Sequence, residues 1–272
     1  MPKLTFEIQD QVARTLLIPL YHRALESNRP DAMLIDKKAQ ELVDQIDYPF
    51  GQLKLMSHDQ TFLAMRVKMF DSICRDFLKK TPDGVIVHIG CGLDTRLERV
   101  DNGRVNWFDL DLPEVIALRE SLGLKEKARY RTVPSSVFDL SWMERIQFIK
   151  KDKVLFLAEG VLCYFTEEEN KSLLMALYKK FNGCDVAFDG MTPMMVGFDN
   201  LHLIITRQKA RLKWGLKDPK DLEDWAEGIQ LLDAMYYFEK YEPRLGSAYL
   251  MRYIPSFAKS SGVFHYQLGI GN

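Results

Sequence analysis

Three stretches of this chain place residues where chemistry needs them. The first is His88-Ile89-Gly90-Cys91-Gly92-Leu93-Asp94-Thr95-Arg96, which follows the β-branched run Val85-Ile86-Val87. A strand that runs into Gly-x-Gly turns sharply and lets a ligand approach main-chain atoms. A dinucleotide site would carry a third glycine, to seat a pyrophosphate on the helix start. Thr95 stands in that place, so NAD and FAD are disfavoured and a ligand without a pyrophosphate fits better. The second stretch, Trp107-Phe108-Asp109-Leu110-Asp111-Leu112-Pro113, ends a strand in acids about 20 positions beyond the glycine turn, the offset at which a carboxylate reaches ribose hydroxyls. A carboxylate accepts from both hydroxyls at once; the other reading makes Asp109 or Asp111 a helix cap ahead of Pro113. The third is Phe156-Leu157-Ala158-Glu159-Gly160-Val161-Leu162-Cys163-Tyr164-Phe165. An acid at the mouth of an apolar strand is costly without a partner. Glu159 is therefore either half of a buried ion pair or the neighbour of a ligand's positive end.

Candidate general bases are few. His88 lies in the first strand and reads as core-facing. Tyr164, just past Glu159, and His202, further along the chain, are the better-placed candidates. Cys74, Cys91, Cys163 and Cys184 form no CxxC pair and no metal-type spacing with histidine, so no metal is expected. Scattered thiols of this kind read as reduced core residues of a cytoplasmic protein. The 37 basic residues against 38 acidic ones give a net charge of −1, which argues against a nucleic-acid partner. No apolar run approaches a membrane span and no signal-peptide core opens the chain.

The elements that must position these residues follow from periodicity. Residues 7–26 and 58–80 carry apolar side chains at helical spacing, and Thr81-Pro82-Asp83-Gly84 closes the second stretch. Strands are expected at Val85–Ile89, Val105–Leu110, Arg129–Val133, Val154–Ala158, Asp185–Phe188, Ile229–Phe238 and Val263–Leu268. Pro113 opens a helix to Leu122. Thr166 with Glu169 forms a capping box for another, and a long helix is expected over about residues 195–213. Seven strands alternating with helices predict an open, twisted α/β sheet with helices on both faces. The chain reads as a single domain: a helical segment over 1–80, a ligand-binding core over 81–190, cap insertions over 191–258 with a late strand at 229–238, and a final strand in 259–272. The cap is dense in methionine and aromatic residues such as Met191, Met194, Met195, Phe198, Trp214, Trp225, Tyr236 and Tyr237; helix packing explains most of them, and a subset could line an apolar pocket.

In this order and spacing the motifs resemble the leucine carboxyl methyltransferase family, in particular its bacterial members similar to polyketide O-methyltransferases. The family's GxGxDTR, (E/D)xDxP and xEGvLxY signatures match residues 90–96, 109–113 and 158–164. The likeness extends upstream to the Asp36 helix and Arg66, and downstream to Lys213-Trp214-Gly215-Leu216. It implies a class I methyltransferase fold with S-adenosylmethionine as cofactor. It assigns Arg66 to the cofactor's methionine carboxylate, Gly90 to the glycine turn, Asp111 to the ribose and Glu159 to the cofactor pocket, with Arg23 as a second basic contact. Many members carry Asp-Leu-Arg-Asp after the third strand, its first Asp near the adenine. Here the segment is Ser136-Val137-Phe138-Asp139, which leaves Ser136 in the adenine position. The expected activity is methyl transfer to a carboxylate or hydroxyl oxygen of a small, partly apolar acceptor. The alternatives are an NAD-dependent oxidoreductase and a non-catalytic protein that binds an adenosine ligand.

Overall fold

A computed structural model describes the chain except residues 1–2, 7–9, 11–12, 54–56, 147–152, 206–209, 240–241 and 271–272, and the side chains of Arg14, Ser57, His58 and residues 202–205. Helices α1 (Leu17–Ser27), α2 (Lys37–Gln45) and α3 (Ser57–Lys80) precede the first strand. Then β1 (Val85–Ile89), α4 (Arg96–Val100), β2 (Asn106–Asp111), α5 (Pro113–Ser121), β3 (Tyr130–Pro134), β4 (Val154–Ala158), α6 (Glu167–Lys180) and β5 (Cys184–Met191) alternate. The chain ends with α7 (Pro193–Ile205), β6 (Ile229–Tyr236), α8 (Pro255–Ala258) and β7 (Ser261–Leu268). The sheet order is β3-β2-β1-β4-β5-β7-β6. Strands β1 to β5 are parallel, and β7 runs antiparallel between β5 and β6.

Every residue of β1 and β4 is buried, because successive side chains point to opposite, equally covered faces. Val85, Val87 and Ile89 with Val154, Phe156 and Ala158 pack toward α6 residues Leu173, Leu174 and Leu177. Ile86, Leu155 and Leu157 face the other way, onto Phe70, Ile73, Cys74 and Phe77 of α3. Fully burying a side chain of this size contributes roughly 1.5–3 kcal/mol, so α3 is fixed against the sheet and carries Arg66 with it. The N-terminal helices pack on α5 through Leu16, Leu20, Leu42, Val115 and Leu118. Pro113 sits in the first turn of α5, and the Thr166–Glu169 capping box is formed at α6.

The late chain departs from expectation. The helix expected over 195–213 runs from Pro193 to Ile205, and residues 210–216 form neither helix nor strand. Their backbone is taken by distant partners: Lys213 N donates to Cys163 O at 2.7 Å and Leu216 N to Met191 O at 2.8 Å. Asn200 pairs with both main-chain groups of Leu212. These bonds lash the segment to the loop after β4 and to the end of β5, which a continuing helix would forbid. The four cysteines are buried and free. Among the described residues no helix is long and apolar enough to cross a membrane, and no group of acidic, histidine and cysteine residues is arranged to hold a metal.

Candidate active site

The carboxyl ends of β1, β2 and β4 open into one cavity of about 480 Å³, beside the point where the strand order reverses between β1 and β4. Ligands bind at such a switch point in open α/β sheets. Arg66, Gly90, Asp111, Ser136, Glu159 and Tyr164 all line it. Gly90 (φ 62°) turns the chain off β1. A Cβ at Gly90 would lie 2.5 Å from Val161 Cγ2, so the glycine is required by the close approach of the loop after β4 as well as by its left-handed backbone.

The two acids of β2 separate cleanly. Asp109 is buried and structural: it accepts from Trp107 Nε1 at 2.7 Å and Tyr130 OH at 2.8 Å, and pairs with Arg119. Asp111 faces the cavity and is held by main-chain donors, Gly92 N to Oδ2 and Leu112 N to Oδ1, each at 2.7 Å. Burial pushes its carboxyl up, and the two backbone bonds offset this only in part.

Glu159 lies in a buried ionic network. Arg66 Nε donates to its Oε1 at 3.0 Å and Arg96 Nη2 to its Oε2 at 2.5 Å. Arg96 also reaches Asp71 at 2.7 Å and Asp94 at 2.5 Å. Arg99 joins Asp36, Asp71 and Asp94, and Arg23 binds Asp36 at 2.9 Å and Leu93 O at 2.7 Å. Thr95, at the position a dinucleotide motif gives to glycine, is bound to Asp36 within the same network. Burial alone would raise the Glu159 carboxyl; the guanidinium groups of Arg96 and Arg66 reverse that and hold it below the usual range. Asp94 is likewise driven well down by Arg96, Arg23 and Arg99 against the effect of burial.

Arg23 lines the cavity, as do Ile18, Pro19 and Thr15 from the N-terminal segment. A Thr15–Tyr164 side-chain hydrogen bond joins that segment to the loop after β4, and burial raises the Tyr164 phenol. Ser136 Oγ accepts from Phe138 N at 3.3 Å. Phe138 and Phe165 meet edge to face at 4.7 Å on the same wall. His88 lies in the cavity floor with its imidazole kept neutral by burial. His202 falls on α7, and its side chain is outside the described residues. None of the described lining residues comes from 191–258; that part of the chain braces α3 and α1 instead, through Phe238 and Leu245 on Met65 and through Arg244 on Glu26.

The leucine carboxyl methyltransferase family model matches residues 17–178, a span that includes all of these lining motifs from Pro19 to Phe165. This chain belongs to the leucine carboxyl methyltransferase family. It is 31% identical over 220 residues to the tetracenomycin polyketide synthesis O-methyltransferase TcmP of Streptomyces glaucescens, covering 80% of each chain. It is 28% identical over 256 residues to the S-adenosyl-L-methionine-dependent methyltransferase dpfgK of Gibberella zeae, covering 86% of this chain and 84% of that one. In fold it is similar to a candidate methyltransferase from Thermobifida fusca (TM-score 0.57, 13% identity, 93% and 95% of the two chains). A DUF574-family protein of Streptomyces avermitilis gives the same TM-score at 14% identity, over 92% of this chain and 96% of that one. The leucine carboxyl methyltransferase assignment makes the chain an S-adenosylmethionine-dependent methyltransferase of class I fold.

The cavity fits that cofactor by its own chemistry. Its volume lies within the range of small-molecule sites. Gly90, Gly92 and Gly160 bring backbone close to the space, and Asp111 offers a carboxylate beside it. At the other end the Arg66 Nη2 group has no partner among the described residues. Most of the ionic network was invisible in the sequence. Asp94 and Arg96 stand inside the glycine motif, but Asp71, Arg99 and Asp189 carry no local signal, because their partners are brought in by tertiary packing. Asp189 lies one residue beyond the strand expected at 185–188.

Proposed function

We propose that this methyltransferase acts on an oxygen of a small, partly apolar acceptor, a carboxylate ahead of a hydroxyl. The observation that carries this reading is the lining of the cavity beyond Glu159. Thr15, Ile18, Leu63, Val161, Tyr164 and Phe165 are mostly apolar, and the one titratable group among these six, the Tyr164 phenol, is held protonated by burial. An acceptor oxygen that is already ionised needs no base, whereas a phenol of pKa about 10 does. The similarity to an O-methyltransferase of polyketide synthesis supports the same choice.

When bound, S-adenosylmethionine supplies an electrophilic methyl group on a sulfonium. Arg66 would hold its carboxylate by a charge-assisted contact, and Glu159 would stand toward its positive amine. The Gly90 turn lets the backbone approach. Asp111 would accept from the ribose hydroxyls, and Ser136 with Phe138 would meet the adenine. Ala13, Thr15, Leu16, Ile18 and Pro19 line the same cavity and would hold an acceptor beside the cofactor for in-line displacement. The whole chain acts as one catalytic domain of a cytoplasmic enzyme.

A pH–rate profile on a carboxylate acceptor tests the reading. The rate is expected to stay nearly flat from about pH 6 to 8, while assistance by an imidazole would lower it as a group of pKa about 6.5 protonates. Methylation found only on nitrogen or carbon acceptors would overturn the oxygen assignment and leave the cofactor assignment standing.

A further inference from the structure

Arg66 is anchored from two strands at once. Glu159, at the end of β4, takes Nε at 3.0 Å, and Asp189, at the end of β5, takes Nη1 through Oδ2 at 3.2 Å. The other oxygen of Asp189 accepts from Gly160 N at 2.6 Å, so one carboxylate fixes both the guanidinium and the turn that follows Glu159. Gly160 has φ 66°, and a Cβ there would lie 3.5 Å from Arg66 Nη1 and Nη2. The missing side chain keeps that face of the guanidinium clear. An arginine has five N–H donors in a rigid planar fork. With Nε and one side of Nη1 engaged, the Nη1–Nη2 end is what remains, and Nη2 has no partner among the described residues. The Asp189 side chain is only 9% exposed. Burial raises its carboxyl, an effect that Arg66 and the Gly160 N–H offset only in part, so the fold keeps an acid at the end of β5 against its desolvation.

We propose that Asp189 is a positioning residue for the cofactor, locking Arg66 and the Glu159–Gly160 turn together so that the Nη1–Nη2 end is presented to the cofactor's carboxylate. This rests on the reading of Arg66 given above. It makes β5, which contributes no described lining residue to the cavity, a determinant of how the cofactor is held. Asp189→Asn keeps an oxygen for Gly160 N and loses the charge toward Arg66; Asp189→Ala loses both.

The test is S-adenosylhomocysteine binding by calorimetry to the parent, Asp189→Ala, Asp189→Asn, Arg66→Ala and the Arg66→Ala/Asp189→Ala double variant, with unliganded melting temperatures as the check on folding. A group that acts through Arg66 must be coupled to it in a double-mutant cycle. Asp189→Ala and Arg66→Ala are each expected to weaken binding about tenfold or more, as for loss of a charge-assisted contact. The double variant is expected to bind within about threefold of Arg66→Ala alone, because a residue that acts through Arg66 adds little once Arg66 is gone. Asp189→Asn should fall between parent and Asp189→Ala, with KM for S-adenosylmethionine raised and kcat largely kept; it stands in should Asp189→Ala fail to fold. Parent-like binding by the Asp189 variants, or losses that multiply in the double variant, would overturn the proposal. If Arg66→Ala binds like the parent, the Arg66 assignment itself fails and this proposal fails with it; if Arg66→Ala is weak and the Asp189 variants are not, only the positioning role is lost.

Discussion

At the end of β2, Asp111 is held by two main-chain N–H groups, and at the end of β4, Glu159 lies between Arg66 and Arg96. Both carboxylates line one cavity and both are half-buried, yet desolvation leaves Asp111 raised, while the two guanidinium groups bring Glu159 below its usual range. At Asp111 neutral donors give the carboxylate direction without cancelling its desolvation; at Glu159 two guanidinium groups together do both, where the single guanidinium at Asp189 does not. The Asp111 end is therefore poised to gain from a ligand that brings hydroxyl donors. The Glu159 end is prearranged before any ligand arrives, and its charge is part of what holds the fold.

The most disruptive way to break this contrast is Arg96→Met, which strips a cation from Asp71, Asp94 and Glu159 at once. Removing one partner of a buried pair costs about 3–5 kcal/mol, so urea unfolding at pH 7 should show a loss of that order, with an unchanged slope if the unfolding remains two-state. The loss should also depend on pH. A carboxyl whose pKa falls on folding adds stability above its unfolded value, and that stability is lost as pH drops through the lower folded value. Asp36, Asp94 and Glu159 are all lowered in this way, so the parent should lose stability on acidification below about pH 4, the ordinary carboxylate range. Asp111 is raised and works in the opposite sense, its contribution fading as pH rises through its folded value. The acid limb should thus be shallower in Arg96→Met and no shallower in Asp111→Ala. Equal limbs in parent and Arg96→Met would place the acid sensitivity outside this network.

The same contrast explains what could be read from the chain alone. Val85–Ile89 and Val154–Ala158 were legible to the residue because both faces of the sheet are covered, and the Thr166–Glu169 box marked α6 because capping is local. Asp111 was legible as one of two acids; the choice between it and Asp109 needed Arg119 and Tyr130, which pack onto Asp109 from α5 and β3. Two of the partners of Arg96, Asp71 and Glu159, lie 25 and 63 residues away, a separation that no motif spacing encodes. The helix expected to reach residue 213 ends near Ile205 for the same kind of reason: the 212–216 backbone is claimed by Asn200, Cys163 and Met191. Gly160 follows Glu159 directly in the chain, but Asp189 reaches its N–H only through the pairing of β4 with β5.

The mildest expected effect lies at the adenine end and sharpens the contrast from the other side. Ser136 lines the cavity, but its hydroxyl oxygen is already an acceptor for Phe138 N at 3.3 Å, and its neighbours on that wall are the Phe138 and Phe165 rings. On the proposed assignment, recognition of the adenine there would rest on apolar contact with one neutral hydroxyl, not on a charge. Ser136→Ala removes at most an ordinary hydrogen bond to the cofactor, a net change of about 0.5–1.5 kcal/mol. S-adenosylhomocysteine affinity measured by calorimetry should therefore fall by roughly two- to thirteenfold at most, the fold-change equivalent of that energy. Asp111→Ala, which removes a charged acceptor worth about 1.5–3 kcal/mol, should cost more. A loss for Ser136→Ala as large as that for Asp111→Ala would mean that the hydroxyl carries the adenine contact alone and that the aromatic wall contributes little. A negligible loss would assign the adenine to Phe138 and Phe165.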